Sequence, residues 1–388
     1  MNRRKFLATA GAATVSVAWG VQAARAATAA TTGYGNVLVM VELQGGNDGL
    51  NTVIPFADPA YYALRPQLAI PREQVLVLDA ATGLHPALQP LLALWQMREL
   101  AIVQGVGYPD ANLSHFRSIE IWDTASRSNE YLPDGWLARS FKAAPVPREY
   151  AADGVVVGSG AMGPFAGGAR AVAITSTEQF LRQARLAQPA AATAGSGALA
   201  HILKVEREVA QAAAGLSADH VFSTAFPAGA FGNAARTAAQ VIAAQPGVAA
   251  VKIGLGSFDT HRGQLATHAR LLQELAGGLL ALKSALVELQ RWDSTLVMTY
   301  SEFGRRAAEN GSGGTDHGTA GAHFAMGGRV RGGLYGRPPE LSRLDRNGNL
   351  VHVVDFRDLY ATVLGGWWGV SAEAALGGRF QPVGFLRA

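Results

Sequence analysis

The sequence predicts an α/β fold, with a mostly parallel central sheet and helices on both faces. Three observations carry this. Short uninterrupted apolar runs such as Val37–Val41 and Thr295–Tyr300 suit strands buried on both faces, the condition of a parallel sheet. Longer stretches with leucine or alanine at helical spacing separate these runs, and strand–helix alternation is the pattern of a parallel sheet covered on both sides. Several runs end in glycine-rich polar loops, where open sheets gather their chemistry.

Taken in order, Val37–Val41 is the first strand and breaks at Gly45-Gly46-Asn47-Asp48-Gly49, a loop forced by glycine. Val75–Leu78 is a second apolar run, Pro86 to about Leu100 reads as a helix, and Ala101–Val103 as a third strand. Val155–Val157 and Ala171–Ile174 read as strands, and the alanine-rich stretches at 178–190, 198–214 and 233–245 as helices. This middle part, about 150–245, is a possible insertion or cap. Val248–Leu255 is a strand, Leu265–Leu289 a long helix, Thr295–Tyr300 and His323–Met326 strands, and Val351–Val354 a strand leading into a helix over Asp355–Leu364. There is no internal repeat.

The chain opens with Asn2-Arg3-Arg4-Lys5-Phe6-Leu7, an apolar stretch to about Ala24, and a small-x-small site at Ala24-Arg25-Ala26. A charged start, a hydrophobic middle and a cleavage site describe a processing segment over residues 1–26. The arginine pair followed by Phe-Leu points to the twin-arginine export route. The expectation is a periplasmic or secreted protein with no stable membrane anchor, its first partner being the twin-arginine export machinery. The domain would span 34–388.

Four of the 33 basic residues lie in that segment, leaving 29 basic against 29 acidic residues and a formal net charge of zero. A basic field for nucleic acid is therefore not supported. Cysteine is absent, which excludes disulfides, thiolate-bound zinc and a thiol nucleophile.

Chemistry-bearing residues collect at strand ends: Asp48 after the first strand, Asp259 and His261 after Val248–Leu255, and Glu302 after Thr295–Tyr300. A glycine-rich loop, Gly313-Gly314-Thr315-Asp316-His317-Gly318, follows. Carboxylate oxygen with neutral imidazole nitrogen is a ligand mix for zinc, manganese or a similar divalent ion. His268 lies two helical turns past His261 and is the reserve ligand. Ser114, in Leu113-Ser114-His115-Phe116-Arg117, is a nucleophile candidate if a base or metal lowers its pKa; it is equally placed to cap the helix that starts at His115. Arg117 could clamp an anionic group through two oxygens, with Asn47 and His115 as further substrate contacts.

These residues resemble a known family. Gly45-Gly46-Asn47-Asp48-Gly49-Leu50-Asn51, Leu113-Ser114-His115-Phe116, Phe258-Asp259-Thr260-His261, Ser301-Glu302-Phe303-Gly304-Arg305 and Thr315-Asp316-His317-Gly318 resemble the exported branch called domain of unknown function 1501. More loosely, they resemble the alkaline phosphatase, sulfatase and phosphoglycerate mutase superfamily. That resemblance implies an alkaline-phosphatase-like fold and one or two divalent ions (Zn, Mn, Mg or Ca) flanking Ser114. It implies Asp48, Asp259 and His261 as ligands. The late ligands have two registers. In one, Asp316-His317-Gly318 is the family's Asp-His-Gly pair and His323 is the final ligand. In the other, preferred because its helix-then-strand context matches, Glu302-Phe303-Gly304 takes that place and His317 is the final ligand. Phe303 cannot bind a metal. Ser114 has Phe116 rather than proline two positions on, so the sulfatase formylglycine is not expected.

Gly158-Ser159-Gly160-Ala161-Met162-Gly163 satisfies a dinucleotide pattern, but Pro164 follows where a helix should open. No G-x-S-x-G elbow occurs. The function expected is a metal-dependent hydrolase or transferase of phosphate or other anionic esters, whether small-molecule, glycan or lipid. The alternative is a non-catalytic periplasmic metal- or ligand-binding protein on the same fold.

Overall fold

A computed structural model describes residues 33–186, 207–216, 220–244 and 247–387. The export signal expected over 1–26 lies outside them, as does 187–206 of the alanine-rich middle. Residues Thr32–Ala388 form one compact unit.

Nine strands make the main sheet. The principal elements, in chain order, are β1 (Val37–Leu43), β2 (Leu100–Gly107), α1 (His115–Thr124), α2 (Trp136–Ala143), β3 (Ala152–Val157), β4 (Ala171–Ile174), α3 (Ala230–Ala243), β5 (Val248–Leu255), α4 (Gln264–Glu288), β6 (Thr295–Tyr300), β7 (Gly321–Met326), β8 (Gly333–Gly336), β9 (Val354–Asp355) and α5 (Phe356–Ala361). The strand order is β8-β2-β7-β6-β1-β5-β3-β4, with β9 also on β2. All pairings are parallel except those of β7, which runs antiparallel to β2 and β6. The predicted class, α/β and mostly parallel, is the observed one.

β1 sits centrally and is buried along its whole length. Successive side chains of a strand point to opposite faces, so Val37, Val39, Val41 and Leu43 join one core with α3 and α4, while Leu38 and Met40 join another with α1, α2 and α5. The α4 stripe Leu271, Leu272, Leu275, Leu279, Leu282 and Leu286 lies in the first core; each such leucine contributes about 1.5–3 kcal/mol. Trp136 and Tyr360 stack in the second, with centroids 4.2 Å apart, and Trp122 stacks on Phe356 at 4.3 Å. Trp367 and Trp368 are buried too, their indoles donating to the carbonyls of Val37 and Asn36.

Four expectations need correction. The run Val75–Leu78 supplies Leu76–Val77 to a separate three-stranded sheet and not to the main one. The helix expected from Pro86 to Leu100 is a 3-10 segment, Pro86–Leu91, then one α-helical stretch, Leu92–Gln96; Pro90 lies inside the first piece, where it lacks the N–H that an α-helix needs. Of Val351–Val354 only Val354 is strand, because Val351 and Val353 face solvent at 54% and 49% exposure. The last helix, Phe356–Ala361, passes into a wider π turn over Thr362–Trp367. Within 150–245, β3 and β4 are strands of the main sheet, paired to β5 through β3. Among the described residues no helix is long and apolar enough to cross a membrane.

Candidate metal centre

The carboxyl ends of β1, β5 and β6 lie side by side, since these strands are parallel neighbours in register. The loops that leave them must therefore meet. Gly45 and Gly46 allow the closest approach, with φ of +111° and +83°. A Cβ on Gly45 would stand 2.4 Å from the Asp259 nitrogen, and one on Gly46 2.5 Å from the Phe303 ring; only glycine avoids both the strain and the clash.

Arg305 ties these loops together. Its guanidinium is 1% exposed and donates to the carbonyls of Gly45, Gly46, Phe258 and Thr315 and to Asp259 Oδ1 at 2.6 Å. Its backbone bridges to His317, which seats the 313–318 loop beside the β5 end.

A cluster of imidazoles results around Asp259. Asp259 Oδ1, His261 Nε2 and His317 Nε2 form a triangle with edges of 3.1, 3.2 and 3.0 Å. His115 Nε2 approaches Asp259 Oδ2 at 3.4 Å. The other ring nitrogen of each histidine is held from outside. His115 Nδ1 meets Glu302 Oε1 at 2.9 Å, His317 Nδ1 donates to the Leu113 carbonyl at 2.8 Å, and His261 Nδ1 faces Asp316 Oδ1 at 3.3 Å. Glu302 is itself fixed by the Gly45 N–H at 2.7 Å, and Asp316 by the Asn310 amide at 3.1 Å. An outer acceptor on Nδ1 selects the tautomer whose Nε2 lone pair points inward.

This geometry fits a cation. Ligands about 2.0–2.1 Å from a tetrahedral zinc lie about 3.3 Å from one another, close to the edges of the triangle. The donor atoms of His115, Asp259 and His317 all lie within 4.8 Å of one another and could hold a metal ion. Asp259 keeps its charge: burial raises its pKa, but the hydrogen bonds from Arg305 and His317 prevail and set it at about 2. Burial pushes the His317 pKa down, against the pull of Leu113 and Asp259, so its ring favours the neutral form that a metal requires.

Of the residues singled out in the sequence, Asp259, His261 and His317 stand together at the centre. Glu302 and Asp316 contact the back of the imidazoles, and His115, expected against substrate, turns its Nε2 into the cluster. Asp48 does not join. Its carboxylate is 1% exposed and occupied by Arg65 Nη1 at 2.6 Å, Gln264 Nε2 at 2.5 Å and the N–H groups of Leu50 and Asn51. Burial raises its pKa, and the Arg65 charge and hydrogen bond outweigh that and lower it. Asn47 is also inside, bonded to Thr52 and to His268 Nε2, which accounts for His268. His323 is buried within β7 against Trp122, and burial drives its pKa to about 3. Arg117 donates to the carbonyls of Arg127, Ser128 and Glu130 and so holds a loop, not a ligand. Phe303 lays its ring against His115 and His317, with centroids 4.9 and 4.4 Å away.

Ser114 occupies the N-cap position of α1, yet its side chain makes no capping bond. It is exposed, and its neighbours on either side, Leu113 and His115, both touch the cluster. Sequence reading missed Arg65 and Arg305. The only signal for either was that a carboxylate fixed at a strand end needs a counter-charge.

An α/β protein with an Asp and three inward-turned histidines at the carboxyl edge of its sheet is the class that fold and site define. The chain belongs to the family described as protein of unknown function (DUF1501), whose model matches residues 73–374. Among the curated proteins none matches it. The structure is similar to that of a protein in the alkaline phosphatase superfamily from Vibrio parahaemolyticus (TM-score 0.42, 10% identity, 89% of this chain and 69% of that one). It is also similar to the phosphonate monoester hydrolase SpPMH from Silicibacter pomeroyi (0.40, 12%, 89% and 75%) and the lipoteichoic acid synthase LtaP from Listeria monocytogenes (0.37, 10%, 87% and 72%).

Proposed function

We propose that this protein is an exported, metal-dependent hydrolase or transferase of phosphate or other anionic esters, with Ser114 as nucleophile beside one divalent ion. His115, Asp259, His261 and His317 would hold that ion. The observation that carries the reading is the set of three imidazoles, each fixed at Nδ1 from behind and aimed by Nε2 at Asp259. When bound, a divalent ion supplies Lewis-acid polarisation of an ester oxygen and favours the ionised form of a nearby hydroxyl.

The chain's own residues do the rest. Ser114 keeps a free, exposed hydroxyl, because the expected cap bond is not made. The first-turn N–H groups of α1, a ten-residue helix, point past it and suit a negatively charged group. Arg305 holds Asp259 ionised and in place. Export is supported by Arg3-Arg4 and the Ala24-Arg25-Ala26 site.

A second reading is a non-catalytic periplasmic metal- or ligand-binding protein, and the sealed Asp48–Arg65 pair favours it. The test is turnover of phosphomonoester, phosphodiester and sulfate-ester probes by metal-replete protein, with Ser114→Ala beside it. Loss of turnover with unchanged metal content supports the enzyme. Metal uptake with no turnover, and no covalent adduct at Ser114 from a phosphate analogue, leaves the second reading.

A further inference from the structure

A cleft of about 1050 Å³ opens next to the α1 end of the molecule, and none of the four clustered residues lines it. Its walls are Pro109–Asp110, the segment after α1 from Ala125 to Glu130, and the segment Leu376–Phe380, with Arg357 at the back. Two arginines outside the lining set these walls. Arg117 donates to the carbonyls of Arg127, Ser128 and Glu130 and stacks on Tyr131 at 3.9 Å. Arg139 joins the Thr124 carbonyl to that of Ala375, at 2.9 Å for its Nε on the latter, so the two walls are tied by one side chain. A cleft held this way binds without first ordering itself.

Its lining has a definite chemistry. Arg357 is spoken for, since Asp355 takes its fork at 2.7 and 2.6 Å, and its guanidinium lies 4.8 Å from the Phe380 ring centroid. Arg127 is solvent-exposed, and Arg379 has only a loose contact of 3.5 Å to Glu373, with side chains 86% and 61% exposed. Of the acids in the wall, Glu130 receives the Arg127 backbone N–H at 3.2 Å, and Asp110 is exposed. Two available guanidinium forks match carboxylates. The partly buried Phe380 ring, with Arg357 against it, offers its remaining apolar surface, and the Asn129 amide can bond hydroxyls. The volume is at the upper end for a small-molecule site, so the fit is to several linked units.

We infer that this cleft binds an oligosaccharide bearing carboxylate groups, gripped by Arg127 and Arg379 with a sugar ring against Phe380. The inference goes beyond the proposed hydrolase and does not rest on it, since neither Ser114 nor any of the four clustered residues lines the cleft. Calorimetric titration of the full mature protein with hexagalacturonate, and with neutral maltohexaose as control, tests it. The acidic hexamer should bind, more weakly as salt rises. The pair Arg127→Glu with Arg379→Glu, and separately Phe380→Ala, should each weaken it about tenfold or more. The double charge-reversed variant should keep the wild-type melting temperature, Phe380→Ala should stay folded though it melts lower because its ring packs on the second core, and His317→Ala should bind as wild type does. Equal binding of the neutral sugar, no binding of the acidic one, or unchanged affinity in the charge-reversed variant overturns the inference. Failure of ester turnover leaves these titrations untouched, so the two readings fail separately.

Discussion

Replacing Arg305 with methionine is the sharpest perturbation of the candidate metal centre. The change keeps side-chain bulk and removes a buried fork that serves four carbonyls and the Asp259 carboxylate. Removing one member of a buried ion pair costs about 3–5 kcal/mol. Here the Asp259 side chain is 43% exposed, so water screens part of its loss. The orphaned carbonyls add to the cost, each about 1–3 kcal/mol where water cannot reach. A net loss of roughly 3 kcal/mol follows, inside the 5–15 kcal/mol that a folded domain commonly has. Arg305→Met should therefore fold, melt several degrees lower, and bind divalent metal about 10- to 100-fold more weakly, since Asp259 loses its orienting partner. Arg305→Lys should restore little, because an ammonium cannot reach five acceptors. Urea unfolding of metal-free protein and a zinc titration measure the two effects. An Arg305→Met protein with wild-type stability and wild-type metal affinity would refute the role given to this side chain.

Three further outcomes are expected. Glu302→Gln keeps the shape behind His115 but weakens the charge on its Nδ1, and metal affinity should fall about tenfold or more; unchanged affinity in competition with a chelator contradicts this. Gly46→Ala puts a methyl 2.5 Å from the Phe303 ring at a φ of +83°, so it should cost about 2 kcal/mol or more through strain and displacement, read as a lower urea midpoint. Asp123 is partly buried near Lys252 and Glu42; desolvation pushes its pKa up to about 7, against the lowering effect of Lys252. A raised acid gives stability that is full below about pH 4 and is lost as pH rises through 7. Asp123→Asn should flatten that decline, and a variant whose unfolding free energy still falls as steeply between pH 5 and 8 speaks against it.

The sheet was legible because its central strands are buried on both faces and so show as unbroken apolar runs; Val248–Leu255 and Thr295–Tyr300 match the observed strands end to end. Glycine- and proline-rich parts read less well. The Pro86–Leu100 stretch keeps a helical apolar spacing, yet Pro90 and a turn at Arg98, φ +59°, break it. At the site, the strand-end rule brought out Asp259, His261 and Glu302, because parallel strands deliver their carboxyl ends to one edge whatever the loops do, while His317 stood out through the glycine-rich loop 313–318. It could not tell a carboxylate that faces the cluster from one that faces an arginine. Asp48 and Asp259 both follow central strands, and only three-dimensional neighbours separate them: Arg65 seals the first, while the fork of Arg305 takes one oxygen of the second and leaves the other toward His115.

That difference bears on how many cations the edge can hold. Asp48 already has a full positive charge 2.6 Å away, and both partners are at most 1% exposed. A metal ion arriving there would have to expel the Arg65 guanidinium from its bonds to Asn51 and to the carbonyls of Arg306 and Ala307, leaving a buried charge uncompensated at a cost of several kcal/mol. Phe303 stands on the near side of the same loop, its ring under His115 and His317 and its edge where any Gly46 side chain would be. Both substitutes are dry and rigid. Together they leave no room for a second cation beside Asp48, so the chemistry proposed for Ser114 would draw on the Asp259 side alone.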